Sequence, residues 1–295
     1  MIGRDTVQSI LALVVFASAY ALIRITLTEL PPVSVAALRF VLASAVMVPI
    51  TFTYYRVKHP SILREDFLVL IGLSIVQIFL PNLLQNIGLE YTTASVTSVL
   101  QSTTPVFTLL LSFVLLREVI EKREILGVIV GIVGVTLLST GGNLSNLSGS
   151  SFLGNALQVG VAASYALSGI LGKSLMNRYS ALFLVTSSFV IGGIFLSGCA
   201  IIFERNLWPS SLSFPVIIAL LLLSFMYCIG LLAWYDVLKR TSVFRLYALL
   251  FVMPVLAVVI SVITLHEDFS AADVAFSAIT LLGVAIVQSG RRTDR

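Results

Sequence analysis

Charge is scarce in this chain. Asp, Glu, Lys and Arg make up 11% of its 295 residues and hydrophobic residues 58%, against about 25% and roughly 45–50% in an ordinary soluble domain. That balance excludes a chain bathed in water on every side. The apolar stretches between the charge clusters are long enough to cross a hydrocarbon core, which takes about 20 helical residues. Cysteine and histidine are equally rare. Cys199 and Cys228 both fall inside apolar stretches without pairing or metal-ligand spacing, so they read as packing residues and say nothing of redox compartment. His59 and His266 lie in expected loops, and neither a His-Glu-x-x-His pair nor a Gly-rich phosphate loop is present. The common zinc and nucleotide motifs are therefore excluded, and no cofactor is expected. The net charge of +4 reflects basic residues held on one side of a membrane, so the expected partners are a lipid bilayer and a small-molecule substrate, not nucleic acid. The apolar run after residues 1–6 shows no small-residue cleavage site; the first helix is expected to insert and stay.

What is present is a repeat. Shifting the sequence by 149 positions lays Leu89, Thr92, Pro105, Ser112, Glu118, Gly134 and Val135 onto Leu238, Thr241, Pro254, Ser261, Glu267, Gly283 and Val284 without a gap. Self-similarity at a fixed offset marks duplicated architecture. Ten spans are expected, over 7–27, 33–54, 67–88, 93–116 and 125–140, then 152–175, 181–203, 214–237, 242–265 and 271–289. The fifth carries Gly127, Gly131 and Gly134, a small-residue face for close helix packing.

Lys and Arg in short loops stay in the cytoplasm. With the N-terminus inside, fifteen of the eighteen basic residues fall on inner segments, Arg24 and Arg205 lie outside, and Arg39 sits within span two. Both termini are therefore expected to be cytoplasmic. The uncharged stretch 141–151, rich in Gly, Ser and Asn, reads as a flexible outer linker between the halves 1–140 and 152–290. Asn143 and Asn146 match the glycosylation pattern, which such a linker produces easily. Each half holds five spans, an odd number, so equivalent helices run in opposite directions. Loop charge agrees: Glu90 and Tyr91 correspond to Lys239 and Arg240. The fold expected is an all-α membrane protein of two inverted five-helix repeats, a common transporter plan.

Ala37-Leu38-Arg39-Phe40, the run Leu89 to Ala94 (Leu-Glu-Tyr-Thr-Thr-Ala), Pro105, Glu118 and the Gly127/Gly131/Gly134 series, with their second-half echoes Leu238, Lys239, Thr241, Ser242, Pro254, Glu267 and Gly283, resemble the drug/metabolite transporter superfamily. The resemblance is to its EamA-like branch of ten-helix bacterial transporters and spans nearly the whole chain. One departure is Ala271-Ala272-Asp273, where small and acidic residues replace an apolar helix start. The resemblance implies a carrier of small metabolites in the bacterial inner membrane, often an exporter of amino acids, and does not name the substrate.

Polar side chains within spans are costly unless they pair or face a cavity. That rule selects Ser18, Tyr20, Gln77, Gln101, Ser164, Tyr165 and Tyr227, with Asn82 and Asn86 toward the outer end of span three. Tyr20-Ala-Leu and Tyr165-Ala-Leu form a second repeat pair; their phenols either flank one central cavity or bond neighbouring carbonyls. Trp234, at the inner end of span eight, reads first as an interfacial anchor and second as a vestibule wall. Pro105 and Pro254 read as matched kinks, static or mobile. Arg39 would cost on the order of 3 kcal/mol at the bilayer centre. It either grips a substrate carboxylate or, in the favoured reading, makes a structural or gating bond to helix-end carbonyls. Arg245, nearer the cytoplasmic end of span nine, is expected to snorkel to water. Glu118 and Glu267 are expected to cap or tether helix ends.

Acidic residues fall only at span ends or in loops, so facilitated movement or exchange is expected in place of tight proton coupling. Alternating access by an exporter of an amino acid or similar polar metabolite is the leading expectation. Export of larger amphipathic compounds or drugs, a narrow channel, and a non-transporting sensor or scaffold are the alternatives; an intramembrane enzyme lacks a visible nucleophile, acid pair or metal set. Spans five and ten, poor in polar residues, suit scaffold or homodimer contacts.

Overall fold

The computed structural model describes residues 4–55, 63–92, 94–147, 151–256, 259 and 270–289. Among them the regular elements are all helical: α1 (Arg4–Thr26), α2 (Pro32–Tyr55), α3 (Arg64–Ser74), α4 (Leu80–Leu89), α5 (Ala94–Gln101), α6 (Thr104–Leu111), α7 (Lys122–Thr140), α8 (Phe152–Leu175), α9 (Ala181–Cys199), α10 (Phe214–Arg240), α11 (Val243–Ala248) and α12 (Ala271–Gln288). π-turns join α3 to α4 (Ile75–Phe79) and extend α6 (Ser112–Leu116) and α9 (Ala200–Glu204). Eight helical stretches among the described residues are long and apolar enough to cross a membrane. α8 matches them in length, but Asn155, Gln158, Ser164, Tyr165 and Ser168 make it more polar. Span nine is described as far as Leu256. Large apolar side chains face outward, with Phe152 89% and Ile202 74% exposed, as a lipid solvent permits and helices with internally satisfied backbones require.

The chain clusters into two compact units, Met1–Asn86 with Leu171–Lys239, and Ile87–Ile170 with Arg240–Arg295. Each draws helices from both sequence repeats.

In the first unit α2 and α9 lie antiparallel, and each ends on the start of the other. The buried Glu204 carboxylate accepts bonds from the Val33 and Ser34 amides (3.0 and 2.6 Å) and the Ser34 hydroxyl (2.7 Å), and Trp208 Nε1 donates to the same hydroxyl at 2.7 Å. At the opposite end the Tyr55 hydroxyl lies 2.6 Å from Ser180 Oγ, the N-cap that receives the Phe183 amide. Helix starts carry unpaired N–H groups and partial positive charge, so a carboxylate or hydroxyl is favoured there. Tyr55 and Glu204 are themselves 149 residues apart: repeat-equivalent positions clamp the two ends of the pair. Another clamp binds the loop before α9, where Asp66 accepts from Arg178 at 2.8 and 3.0 Å and from the Tyr179 hydroxyl at 2.8 Å. That neighbouring carboxylate raises the Arg178 pKa above its ordinary value.

In the second unit α7 lies along α12. Gly127, Gly131 and Gly134 meet Gly283, Val287, Phe251 and Thr280, and a Cβ on Gly283 would overlap the Gly131 backbone. The small-residue face is thus occupied within the chain. Arg117, in the left-handed conformation at φ 55°, ends the π-turn after α6 and swings Glu118 onto the start of α11, where it takes the Ser242 hydroxyl (2.7 Å) and Val243 amide (3.2 Å). Glu118 thus caps the start of α11; Glu267 lies outside the described residues. The departure at Ala271-Ala272-Asp273 is a capping box, in which Ser270 accepts the Asp273 amide and Asp273 returns bonds to Ser270.

Candidate functional site

Arg39 stands seven residues into α2, about 10 Å along the helix axis, and is 4% exposed. Its Nη2 donates to Asn82 Oδ1 at 2.8 Å. The guanidinium carbon lies 4.5 Å from the Phe40 ring centroid and 4.4 Å from that of Tyr227, and those two rings meet edge to face at 5.5 Å. Phe16 on α1 backs Tyr227 at 5.7 Å. Each aromatic face contributes roughly 0.5–1 kcal/mol when exposed and about 2 when desolvated, so the rings offset part of the burial cost. Asn82 is itself oriented, donating to the Ile78 carbonyl at 2.6 Å. Arg39 Nε has no acceptor, and no carboxylate pairs with Arg39 among the described residues. The expected bond to helix-end carbonyls is absent among the described residues: a side-chain amide and two rings hold the cation.

The π-turn Ile75–Phe79 also presents Gln77, 6% exposed, with its Oε1 unsatisfied. Pro81, which lacks an N–H, follows this turn, and π-turns recur at functional positions in helices. Ser188 on α9 is wholly buried, and its hydroxyl has no partner either. It is the residue 149 positions after Arg39, and its neighbour Phe189 meets Phe40 at 5.5 Å. Asn86 is half-buried. Ser18 bonds back to the Val14 carbonyl at 2.8 Å, an ordinary helical arrangement. The side chain of Tyr20 lies outside the described residues. Trp234 corrects an expectation: it is 4% exposed and set edge-on to Phe16 at 6.1 Å, so its ring packs within the unit and does not stand at a membrane interface.

The remaining candidates belong to the second unit. Gln101, at the end of α5, donates to Gln158 Oε1 at 3.0 Å, and Gln158 is fully buried. Gln158 was not selected from the sequence, although the same signal, a polar residue within an apolar span, marks it. Ser164 bonds back to the Gly160 carbonyl. Tyr165 is half-buried, and its carbonyl accepts from Ser168 at 2.7 Å; the buried Tyr247 hydroxyl lies 3.4 Å from Ser168 Oγ. Pro105 does not bend a continuous helix. α5 stops at Gln101 and α6 restarts with Pro105 in its first turn, where the missing N–H is harmless. The Ser102, Thr103 and Thr104 hydroxyls turn back to the Val99, Leu100 and Gln101 carbonyls at 2.6, 2.5 and 2.7 Å. The corresponding stretch of span nine holds the 3₁₀ turn Leu249–Phe251, just before Pro254. Arg245 is a second correction. It does not reach for water: its Nε bonds Glu124 Oε1 at 2.8 Å, with the two side chains 14% and 2% exposed, and its carbonyl accepts from Gln288.

Among the described residues no cluster of His, Cys, Asp and Glu could hold a metal ion. What the structure offers is polar groups set into apolar helices, suited to binding and release.

The comparisons with known proteins agree. A profile of the EamA-like transporter family matches residues 7–140 and 152–289. The chain is 29% identical to an uncharacterized transporter of Archaeoglobus fulgidus, over 91% of this chain and 93% of that protein. It is 26% identical to the uncharacterized transporter YetK of Bacillus subtilis, over 95% and 83%. A probable amino-acid metabolite efflux pump of Salmonella typhimurium is 25% identical over 100% and 98%. One crystal structure superposes with a TM-score of 0.81 over 99% of this chain and 100% of that one, at 19% identity, and so shares the fold. The chain is an integral, multi-pass membrane transporter and not an enzyme, and it belongs to the EamA-like transporter family.

Proposed function

We propose that the protein exports an amino acid or a similar small polar metabolite by alternating access. In this reading it has ten spans in two inverted five-helix repeats, both termini in the cytoplasm, and sits in the cytoplasmic (inner) membrane. The observation that carries it is the pair of interruptions at corresponding places in the two halves, Gln101 to Pro105 and Leu249 to Pro254. Matched breaks in repeat-related helices mark the substrate region of transporters built from inverted repeats, because irregular backbone survives in a bilayer only within protein or beside a cavity. The amino-acid class rests on the full-length similarity to the probable efflux pump. A homodimer through spans five and ten would use their outward apolar faces, such as Ile129 and Leu282, since the glycine face is already filled by α12 of the same chain.

Proteoliposomes loaded with radiolabelled amino acids test the assignment. Saturable efflux of one of them, unaffected by a proton ionophore with or without an imposed proton gradient, is the expected result. Loss of uphill accumulation with the ionophore would overturn the uncoupled mechanism, and non-saturating flux would indicate a channel. Activity confined to bulky amphipathic compounds would replace the amino-acid assignment, and the absence of any flux would favour a sensor or scaffold.

A further inference from the structure

We propose that Arg39 is a solute-binding cation whose ligand is a carboxylate. The proposal rests on the transporter reading and names the chemistry its solute must carry. Four observations converge on it. The guanidinium is 4% exposed, yet its only hydrogen-bond acceptor among the described residues is a neutral amide oxygen. A buried charge without a counter-charge is strongly disfavoured, and two aromatic faces supply only part of what an anion would. Its Nε remains without an acceptor, so Nε and one terminal nitrogen present the two-donor edge that a carboxylate oxygen pair fits. Finally, an acceptor lies unsatisfied on the helical stretch that carries Asn82: Gln77 Oε1 is buried and receives nothing. Five-residue spacing across a π-turn takes the place of the usual four, so Gln77 falls toward the Asn82 side. A solute bringing a carboxylate for Arg39 and a donor such as an ammonium group for Gln77 would satisfy both.

Access is built from the same residues. Asn82 and Tyr227 are only half-buried and cover the guanidinium, so rotation of these two side chains uncovers it without disturbing α2. In the arrangement described here the cation is closed off, being 4% exposed.

Purified full-length protein in detergent provides the test, since a ligand bound to the folded state raises the melting temperature by mass action. The probes are acetate, butyrate, benzoate and the standard amino acids, each beside its uncharged carboxamide. At least one carboxylate is expected to raise the melting temperature at about one-tenth the concentration its carboxamide needs, equivalent to about 1.4 kcal/mol. Arg39→Gln should abolish that difference, and Arg39→Lys should keep it in weakened form, because a lysine retains charge but loses the planar fork. The comparison within the wild-type protein stands even where a variant fails to fold. Equal responses to carboxylate and carboxamide, no response to any carboxylate, or a response that survives in folded Arg39→Gln would each overturn the proposal. Benzoate or butyrate binding through Arg39 without any amino acid would keep the anion site and overturn the amino-acid assignment. Amino-acid binding that ignores Arg39 would do the reverse.

Discussion

Two arginines among the described residues are sunk into helical packing, and they are treated differently. In the second unit Arg245 meets Glu124 at 2.8 Å, both side chains largely buried, and Gln288 ties its carbonyl to α12. In the first unit Arg39 is as deeply enclosed, but it has an amide and two rings where a carboxylate would be expected. A charge whose counter-charge is a neighbouring side chain serves the scaffold. One whose counter-charge is missing is suited to a visiting anion.

The contrast can be broken from either side. The largest effect is expected from Gly283→Val, because the added side chain would overlap the Gly131 backbone; the seam cannot close, and fluorescence size-exclusion of detergent extracts should show loss of the monodisperse protein. Next is Glu124→Gln, which leaves Arg245 buried beside a neutral group and should cost about 3–5 kcal/mol, read as a fall in melting temperature. Adding Arg245→Gln should recover a large part of it. Arg39→Leu should behave in the opposite sense, lowering transport about tenfold to a hundredfold, the range expected for losing charged hydrogen bonds, while the melting temperature holds or rises. A fall as steep as that of Glu124→Gln would erase the distinction. Glu204→Gln is smaller: it keeps an acceptor for Ser34 but turns an NH2 group toward the Val33 amide, which leaves that donor unsatisfied and should cost about 1–3 kcal/mol.

The smallest effect concerns pH. Hydrogen bonds from the Ser213 side chain and amide hold the half-buried Glu29 carboxyl below its ordinary value. A depressed carboxyl pKa contributes stability above the unfolded value, and that contribution is lost as pH falls through the lower folded value. Melting temperature should therefore decline on acidification below about pH 4.5, and slightly less steeply in Glu29→Gln.

Much of the candidate site is legible in the sequence, and for one reason. A polar residue within an apolar span stands out because hydrocarbon offers it no partner, and that rule alone selected Arg39, Gln77, Asn82, Gln101 and Tyr227. It passed over Gln158 only because α8 is polar enough to hide it. It could not decide what each residue would touch. Trp234 at a helix end and Arg245 near a loop were read from their depth along the helix, whereas burial depends on which neighbour covers that side.

The order of apolar and charged segments, the 149-residue echo and the Gly series determined that this chain would be a helical membrane protein with a duplicated plan, because hydrophobic length and helix periodicity are local properties. Which helices would share a compact unit was not written there: α2 chose α9, and α7 chose α12. Nor was the contrast between the two arginines. Whether a buried cation finds a carboxylate depends on residues far away in the chain, Glu124 being 121 residues from Arg245. Only the packing of helices against one another sets such distances.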